Sequence, residues 1–222
     1  MTVEQVMSHL KKNGTAQTVK IYRNHGAKGD LFGVSFADLG KLKKQIKVDH
    51  ALALDLWETG NLDARTIALM VADPSQVTSP QLEKWVGDVD YHLLADMVAS
   101  IAARSPLALS KAAKWMRSKK EYVRQCGYST IASVLKEGVE VDDSECKAIL
   151  ATIEKEIHGS PNRARYTMNN ALIAIGVYRP ALKEAAIAAA RRIGKVEVDH
   201  GATSCQTPDA EGYIQKALAH RK

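Results

Sequence analysis

Helix signals recur along almost the whole chain, and no segment alternates convincingly in the pattern of a β-strand. In "SECKAILATIEKEIHG", for example, Cys146, Ile149, Leu150 and Ile153 form one apolar stripe at helical spacing. Alanine is abundant and aromatic residues make up only 5% of the chain, which favours close-packed helices over a sandwich or barrel. The sequence predicts helices at about residues 3–12, 16–25, 35–47, 50–59, 62–73, 80–87, 91–103, 106–117, 120–136, 143–158, 162–177, 180–194 and 208–220.

These helices are predicted to form pairs that repeat along the chain. The pairs begin near Ser35, Ser79, Lys119 and Asn162, and their spacings of about 44, 40 and 43 residues are close to the period of HEAT repeats. Repeats of this kind stack on their neighbours and expose one extended concave face. We therefore expect an all-α fold, a right-handed superhelical solenoid of HEAT-like helix pairs with a concave basic face. The pairs are expected to form one domain over residues 1–222.

Several helix starts carry capping signals. Ser79, Ser105 and Thr207 each stand directly before a proline, which suits a capping hydroxyl followed by the first helical residue. Ser35 is followed three residues later by an aspartate, as in a capping box, and Asn61 precedes the apolar-periodic segment "LDARTIALMVAD". These five side chains are predicted to cap the helices that follow them.

Composition limits the setting and the partners of the chain. A net charge of +6 and a pI of about 9.1 are compatible with nucleic acid as a partner, although many ordinary enzymes share this balance. Cys126, Cys146 and Cys205 are odd in number and far apart, so a disulfide framework is not expected. The N-terminus lacks the pattern of a signal peptide and no stretch is apolar for long enough to span a membrane. We expect a cytoplasmic monomer without a membrane partner.

Two predicted helix starts are unusually basic. Lys119 and Lys120 precede one of them, and Arg163 and Arg165 lie in the first turn of another, beside Tyr166. The helix macrodipole disfavours cations at a helix start, whereas a bound phosphate would favour them there. A solvated surface with ordinary salt links is the alternative. The repetition of the feature in successive repeats indicates a groove that binds a phosphate backbone.

The segment "WVGDVDYHLLADMV" holds two acids around a helix break. Gly87 is unfavourable inside a helix, so Asp90 is placed to cap the next helix, while Trp85 packs in the core. The alternative is that Asp90 is an exposed carboxylate that stabilises positive charge on a reacting sugar or base. Asp88 has no role in either interpretation.

The late segment "VDHGATSCQTPDAEGYI" contains His200 and Cys205, but one such pair is a weak metal signal because zinc needs three or four ligands. The loop "GAKGDLFG" lacks the Gly-Lys-Ser/Thr of a phosphate loop and follows no strand. No metal and no cofactor are therefore expected.

From about Lys20 to its end, the chain resembles the HEAT-like-repeat DNA alkylation repair glycosylases, the AlkD-like group. The resemblance lies in "LFGVSFADLGKLKKQIKVDHALALDLWETGNLDARTIALMVADP", "WVGDVDYHLLADMV" and "YVRQCGYSTIASVL". It implies the helical solenoid expected above and the hydrolytic excision of cationic N3- or N7-alkylated purines from double-stranded DNA, by a monofunctional glycosylase that needs no Schiff-base lysine.

The same resemblance implies roles for individual residues. It places the catalytic carboxylate, which stabilises the oxocarbenium-like charge, at Asp90, and the arginine that binds the DNA backbone at Arg124 or Gln125. The family's two tryptophans fall at Val86 and Ala174. Together with the basic helix starts, the expected DNA-binding residues are Arg124, Gln125, Tyr128, Lys119, Lys120, Arg163 and Arg165.

Two functions are therefore carried forward. One is the alkylpurine glycosylase, with Asp90 at the reaction centre. The other is a non-catalytic HEAT-repeat module, without the aromatic walls, that binds damaged or branched DNA or a protein.

Overall fold

A computed structural model describes residues 1–220. Within that range the chain is all-helical, with no strand, so the predicted fold class is confirmed. Two short 3-10 helices, Ile157–Gly159 and Pro180–Leu182, accompany the α-helices. The α-helices are α1 Val3–Asn13, α2 Ala16–Asn24, α3 Phe36–Ile46, α4 His50–Glu58, α5 Leu62–Val71, α6 Ser79–Gly87, α7 His92–Ala103, α8 Ala108–Trp115, α9 Glu121–Lys136, α10 Asp143–Glu156, α11 Asn162–Tyr178, α12 Lys183–Ile193 and α13 Ala210–Ala219.

The described residues divide into two compact units. The first comprises Met1–Pro106 with Gly201–Thr203, and the second comprises Leu107–His200 with the described residues from Ser204 onward. In the first unit α5 is central and packs against α1, α3, α4 and α7. In the second unit α11 is central and packs against α9, α10, α12 and α13. The expectation of a single domain stays a prediction.

Consecutive helices pack as HEAT-like pairs, but the pairing in the second unit differs from the prediction. There α8 packs against α9, and α12 packs against both α11 and α13. Lys119 therefore precedes the second helix of a pair, not the first, whereas the two helices of the pair predicted to begin near Asn162, α11 and α12, pack against each other. The sequence signals are strongest at α9 and α11 because these are the longest helices, whereas α8 has only 8 residues and a weak start.

Of the five predicted N-caps, two are confirmed and a third is displaced by one residue. Ser35 accepts a hydrogen bond from the backbone N–H of Asp38, and Asn61 caps α5, as predicted. Ser79 was expected to cap α6, but Thr78 does so and forms a capping box with Gln81. Proline is tolerated anywhere in the first turn, where the N–H groups have no helical acceptor, so the serine-proline signal leaves the cap uncertain by one residue.

The other two capping predictions are wrong. The Ser105 hydroxyl donates to the carbonyl oxygen of Ala102 at the end of α7, 2.8 Å away, and so serves the preceding helix. Thr207 lies before the true cap of α13, which is Asp209, and its hydroxyl contacts the His200 ring instead. Short hydroxyl side chains satisfy backbone groups on either side of a turn, and sequence alone does not choose between them.

An aspartate inside α5 secures the loop that precedes α3. Asp63 is 1% exposed, and its carboxylate accepts backbone hydrogen bonds from Phe32, Gly33 and Val34 at 2.6–3.0 Å. A buried carboxylate is costly unless it is hydrogen-bonded, and three N–H donors compensate it here. The loop "GAKGDLFG" is thus a structural connection whose amides are directed inward. No helix among residues 1–220 has the length and apolar character required to cross a membrane.

Candidate nucleic-acid interface

The two basic helix starts predicted from the sequence lie next to each other in the second unit. The Glu121 carboxylate, in the first turn of α9, accepts a hydrogen bond from the backbone N–H of Arg163, in the first turn of α11, at 2.7 Å. Lys119 and Lys120 directly precede α9. The two helix starts that carry these cations are therefore neighbours, and their role in a backbone-binding groove stays a prediction.

The four cations at this place are not used for internal ion pairs. Lys119 and Lys120 are exposed, and Arg163 and Arg165 are half-buried. None of them makes a salt bridge within residues 1–220, and the Nε of Arg165 is buried without a hydrogen-bond partner. The Glu121 carboxylate takes the backbone N–H of Arg163, and the four cationic side chains, which form no salt bridge with it, are available to an anion at these helix starts.

The other basic cluster of this unit contrasts with the helix starts. Arg191 and Arg192, at the end of α12, form two-point contacts with Glu211 and Glu154 respectively. Lys195 pairs with Glu197 at 3.0 Å. These cations complement the C-terminal helix dipole and are neutralised by acids, so this cluster is structural.

The structure places the three α9 residues of the predicted interface largely inside the protein. Arg124 binds the carboxylate of Glu156 and lies over the Tyr128 ring, with 5.9 Å from its guanidinium carbon to the ring centre. Burial acts against its charge, but the hydrogen bonds to Glu156 and Tyr128 outweigh burial and raise the pKa of Arg124. Gln125 and Tyr128 are each 1% exposed, and burial raises the pKa of Tyr128. Their contact with DNA stays a prediction.

Asp90 lies in the first unit, exposed, on the short connection between α6 and α7. Tyr91 occupies the N-cap of α7 and provides no side-chain cap, so the interpretation of Asp90 as the cap is wrong. The Asp90 carboxylate makes no hydrogen bond or ion pair within residues 1–220. An exposed carboxylate without a partner is chemically available, and its catalytic role stays a prediction.

Asp88, which the sequence interpretation dismissed, is the acid that holds this corner together. Its carboxylate accepts hydrogen bonds from Trp57 Nε1 at 2.9 Å and from Lys84 Nζ at 3.0 Å. The Arg65 guanidinium stands 3.8 Å away and also covers the Trp57 ring. Burial would raise the pKa of Asp88, but the donors and cations around it outweigh burial and lower it. Trp57 lies 31 residues away in sequence, so no local pattern indicates this contact.

Trp85 is the tryptophan nearest to Asp90 in the sequence. Trp85 is buried in the core with its ring centre 5.4 Å from that of Trp57. Val86 and Ala174, which the resemblance matches to the family's two tryptophans, are 3% and 6% exposed. The packing role predicted for Trp85 is confirmed, and the match of Val86 and Ala174 to the two family tryptophans stays a prediction.

The loop that contains His200 and Cys205 is tied into the second unit. The His200 ring bonds to the Thr207 hydroxyl at 3.0 Å and meets Tyr166 edge-on, with 5.5 Å between ring centres. Burial and the nearby Arg163 lower the pKa of His200. Residues 1–220 contain no group of three His, Cys, Asp or Glu side chains placed to hold a metal ion.

Comparison with known proteins identifies the family. The sequence model of the family described as DNA alkylation repair enzyme matches residues 6–214. The chain belongs to this family. An uncharacterized protein of Listeria innocua is 34% identical over 98% of the chain and 97% of its own length. An uncharacterized protein of Listeria monocytogenes is 32% identical over the full length of both.

A solved structure is similar to this member of the DNA alkylation repair enzyme family over the full chain. It is described as belonging to a new family of proteins related to the HEAT-like repeat DNA glycosylases with affinity for branched DNA structures. The TM-score is 0.90, the identity is 31%, and the match covers 100% of this chain and 95% of that one. The expected HEAT-like architecture is confirmed by this likeness.

Proposed function

We propose that this protein binds branched DNA, and that it grips phosphates at the adjacent starts of α9 and α11. The observation that carries the proposal is the set of four cations, Lys119, Lys120, Arg163 and Arg165, which lie at two neighbouring helix starts and form no salt bridge within residues 1–220. Phosphate contacts from cations and helix N-termini supply most of the affinity of DNA-binding proteins. The four cations fit this task better than any internal role.

The preference for branched DNA is supported by the similar structure and by what the site lacks. That structure, 31% identical, is described as having affinity for branched DNA structures. In this chain Arg124 is engaged by Glu156, and aliphatic residues stand where the glycosylases carry tryptophan. These differences concern residues that the family resemblance associates with the lesion, whereas the proposed phosphate contacts come from other residues, the cations at the starts of α9 and α11.

Titration of a three-way junction and of a linear duplex of the same length, at several salt concentrations, tests the proposal. Wild type is expected to bind the junction more tightly, with an affinity that falls steeply as salt rises. Replacing all four cations by glutamine should lower the slope of log K against log[salt] by about three to four, because each phosphate contact contributes about 0.9. The control is Arg191→Gln with Arg192→Gln, which removes cations that glutamates already neutralise. Equal binding of junction and duplex, or an unchanged slope, would overturn the proposal.

Hydrolytic excision of cationic alkylated purines is the second candidate function. The family match and the exposed, unpartnered carboxylate of Asp90 favour it. An N3- or N7-alkylated purine already carries the charge of a good leaving group. A carboxylate near the sugar has only to stabilise the developing positive charge and to orient a water molecule.

Release of methylated base from alkylated DNA tests this second candidate. If the protein is a glycosylase, wild type releases base and Asp90→Asn loses most of that activity, by about 10²-fold or more. If wild type releases none under conditions in which an active glycosylase does, the second candidate fails and DNA binding is unaffected. If Asp90→Asn releases as much as wild type, the role of Asp90 is wrong.

A further inference from the structure

A groove of about 480 Å³ runs between three helices of the second unit. One face of α11 forms its floor, α9 forms one wall and α13 forms the other. The floor residues follow helical spacing from Tyr166 to Tyr178 and so belong to one stripe of α11. A volume of this size lies within the range of small-molecule pockets.

The groove exists because the side chains at its base are small. Ala132 on α9, Ala174 on α11 and Ala217 on α13 all line it. The family resemblance matches Ala174 to a glycosylase tryptophan, and its methyl group occupies much less space than an indole ring. The three alanines leave a slot at the surface of these packed helices.

Aromatic rings border this slot. Tyr166, Tyr178 and Tyr213 line it, from the two ends of the α11 stripe and from α13. Tyr213 is 53% exposed, an unusual degree for a ring packed on a helix face, and it leaves the groove open to solvent. Exposed tyrosine rings offer flat faces on which nucleobases stack, largely independently of base identity.

The groove also contains polar side chains that do not come from tyrosine. Lys136 is the one charged residue among its lining residues, and it is exposed and makes no salt bridge. The Asn170 amide and the Ser133 hydroxyl have no side-chain hydrogen bond to the described residues. The groove thus offers aromatic surface, an amide that both donates and accepts, and one cation.

The groove is also continuous with the proposed phosphate site. Tyr166 lies one turn after Arg163 on α11, so the stripe that lines the groove begins where the basic helix start ends. A DNA strand held at the start of α11 would meet the groove within one nucleotide or two.

We propose that this groove takes up an unpaired nucleotide of branched DNA, with the base against the tyrosine rings and a phosphate beside Lys136. The inference rests on the proposed function, the binding of branched DNA, and adds that the protein recognises an unpaired nucleotide in that DNA. An apolar peptide is the less suitable occupant, because the groove places a cation and an unpartnered amide where such a peptide has nothing to pair with them. Charge complementarity and continuity with the phosphate site both favour a nucleotide.

The test compares two three-way junctions, one fully paired and one with a single unpaired thymidine at the branch point. Wild type should bind the unpaired junction about tenfold more tightly, since base–aromatic stacking accounts for a change of that order. Tyr213→Leu should abolish most of this preference, and Tyr213→Phe should retain it because the ring is kept. Phe36→Leu, which removes a 47% exposed ring from α3 in the first unit, is the matched control.

The outcomes separate this inference from the function on which it rests. If wild type binds both junctions and Tyr213→Leu keeps the same ratio as wild type, the nucleotide pocket is wrong while DNA binding stands. If wild type binds no DNA, both proposals fall.

A photocrosslink gives a second measurement that does not depend on a variant. A junction with 5-iodouracil at the unpaired position should attach to peptides that contain Tyr166, Tyr178 or Tyr213, as located by mass spectrometry. Attachment only at other sites, or crosslinking equally efficient when the iodouracil is base-paired, would contradict the assignment.

Discussion

At the scale of the residue, two aspartates two positions apart have opposite tasks. Asp88 is bound by Trp57 and Lys84, whereas Asp90 is exposed and unpartnered within the described residues. Loss of the Asp88 carboxylate leaves the indole N–H of Trp57 buried without an acceptor, and Trp57 is 0% exposed. An unsatisfied buried donor costs about 1–3 kcal/mol. We therefore expect Asp88→Ala to lower the free energy of unfolding by that amount and Asp90→Ala to change it by less than about 0.5 kcal/mol.

Urea titration followed by tryptophan fluorescence measures both variants, since all three tryptophans are buried in the folded protein. Similar losses for Asp88→Ala and Asp90→Ala would show that the Asp88 contacts do not stabilise the corner. An unchanged slope of the unfolding free energy with urea confirms that the comparison concerns stability alone.

The Asp88 carboxylate also gives a prediction for how the stability of the protein depends on pH. The pKa of Asp88 is lower in the folded protein than its ordinary value, because the hydrogen bonds and charges of its partners outweigh burial. Such a carboxyl stabilises the fold at pH values above its unfolded pKa of about 3.9, and this stabilisation is lost as the pH falls through the folded pKa. The stability difference between wild type and Asp88→Asn should thus be full at neutral pH and shrink below about pH 4. A difference that is constant from pH 7 to pH 3 in urea titrations would contradict this.

At the scale of the element, two glycines inside helices show that packing decides whether a glycine-to-alanine substitution stabilises or destabilises the protein. A Cβ on Gly127 in α9 would stand 2.3 Å from the backbone nitrogen of Met116, whereas one on Gly40 in α3 would meet nothing within 4 Å. Gly127→Ala should destabilise the protein by about 1–3 kcal/mol through overpacking. Gly40→Ala should stabilise it by about 0.5–1 kcal/mol, because alanine loses less backbone entropy in a helix. Thermal unfolding of the two variants beside wild type measures both, and a stabilising Gly127→Ala would mean that α8 and α9 are not in such close contact.

The helices themselves were predictable, whereas their ends and partners were less so. Apolar periodicity identified every α-helix because helix formation is local and repeats every 3.6 residues. The caps at Ser105 and Thr207 failed, since a hydroxyl serves either side of a turn and only the path of the backbone decides. The pairing of α8 with α9 depends on the close approach at Gly127, which no local pattern encodes.

The part of the candidate site that could be predicted from the sequence is the presence of cations next to the starts of helices. Lys119 and Lys120 could be recognised as anomalous because the helix dipole disfavours them. The starts of α9 and α11 are joined by the hydrogen bond between Glu121 and the Arg163 backbone, two residues that lie 42 positions apart. The sequence therefore indicated two basic helix starts but not that they are neighbours. Arg124 was expected to face DNA, and its acceptor Glu156 lies 32 positions away, beyond what helical spacing reveals.

At the scale of the whole molecule, the positive charge is uneven along the chain. Residues 1–50 contain nine Lys or Arg and four Asp or Glu, so they account for +5 of the net charge of +6. Lys11, Lys12, Lys43 and Lys44, at the ends of α1 and α3, are exposed and make no salt bridge within residues 1–220. Unpaired surface cations attract a polyanion at long range before any specific contact forms.

This distribution predicts different kinetic effects for the two basic regions. Replacing Lys11, Lys12, Lys43 and Lys44 by glutamine should lower the association rate with a DNA junction several-fold at low salt and have little effect on dissociation, because long-range steering acts on encounter. Replacing the four cations at the starts of α9 and α11 should mainly accelerate dissociation, since those groups are proposed to contact phosphate directly. Stopped-flow measurements at low and at near-physiological salt separate the two rates. The effect on association should fade as salt rises, because the Debye length shortens to about 8 Å at 0.15 M. If the N-terminal lysines instead change the dissociation rate at high salt, they contact DNA themselves and the division of roles is wrong.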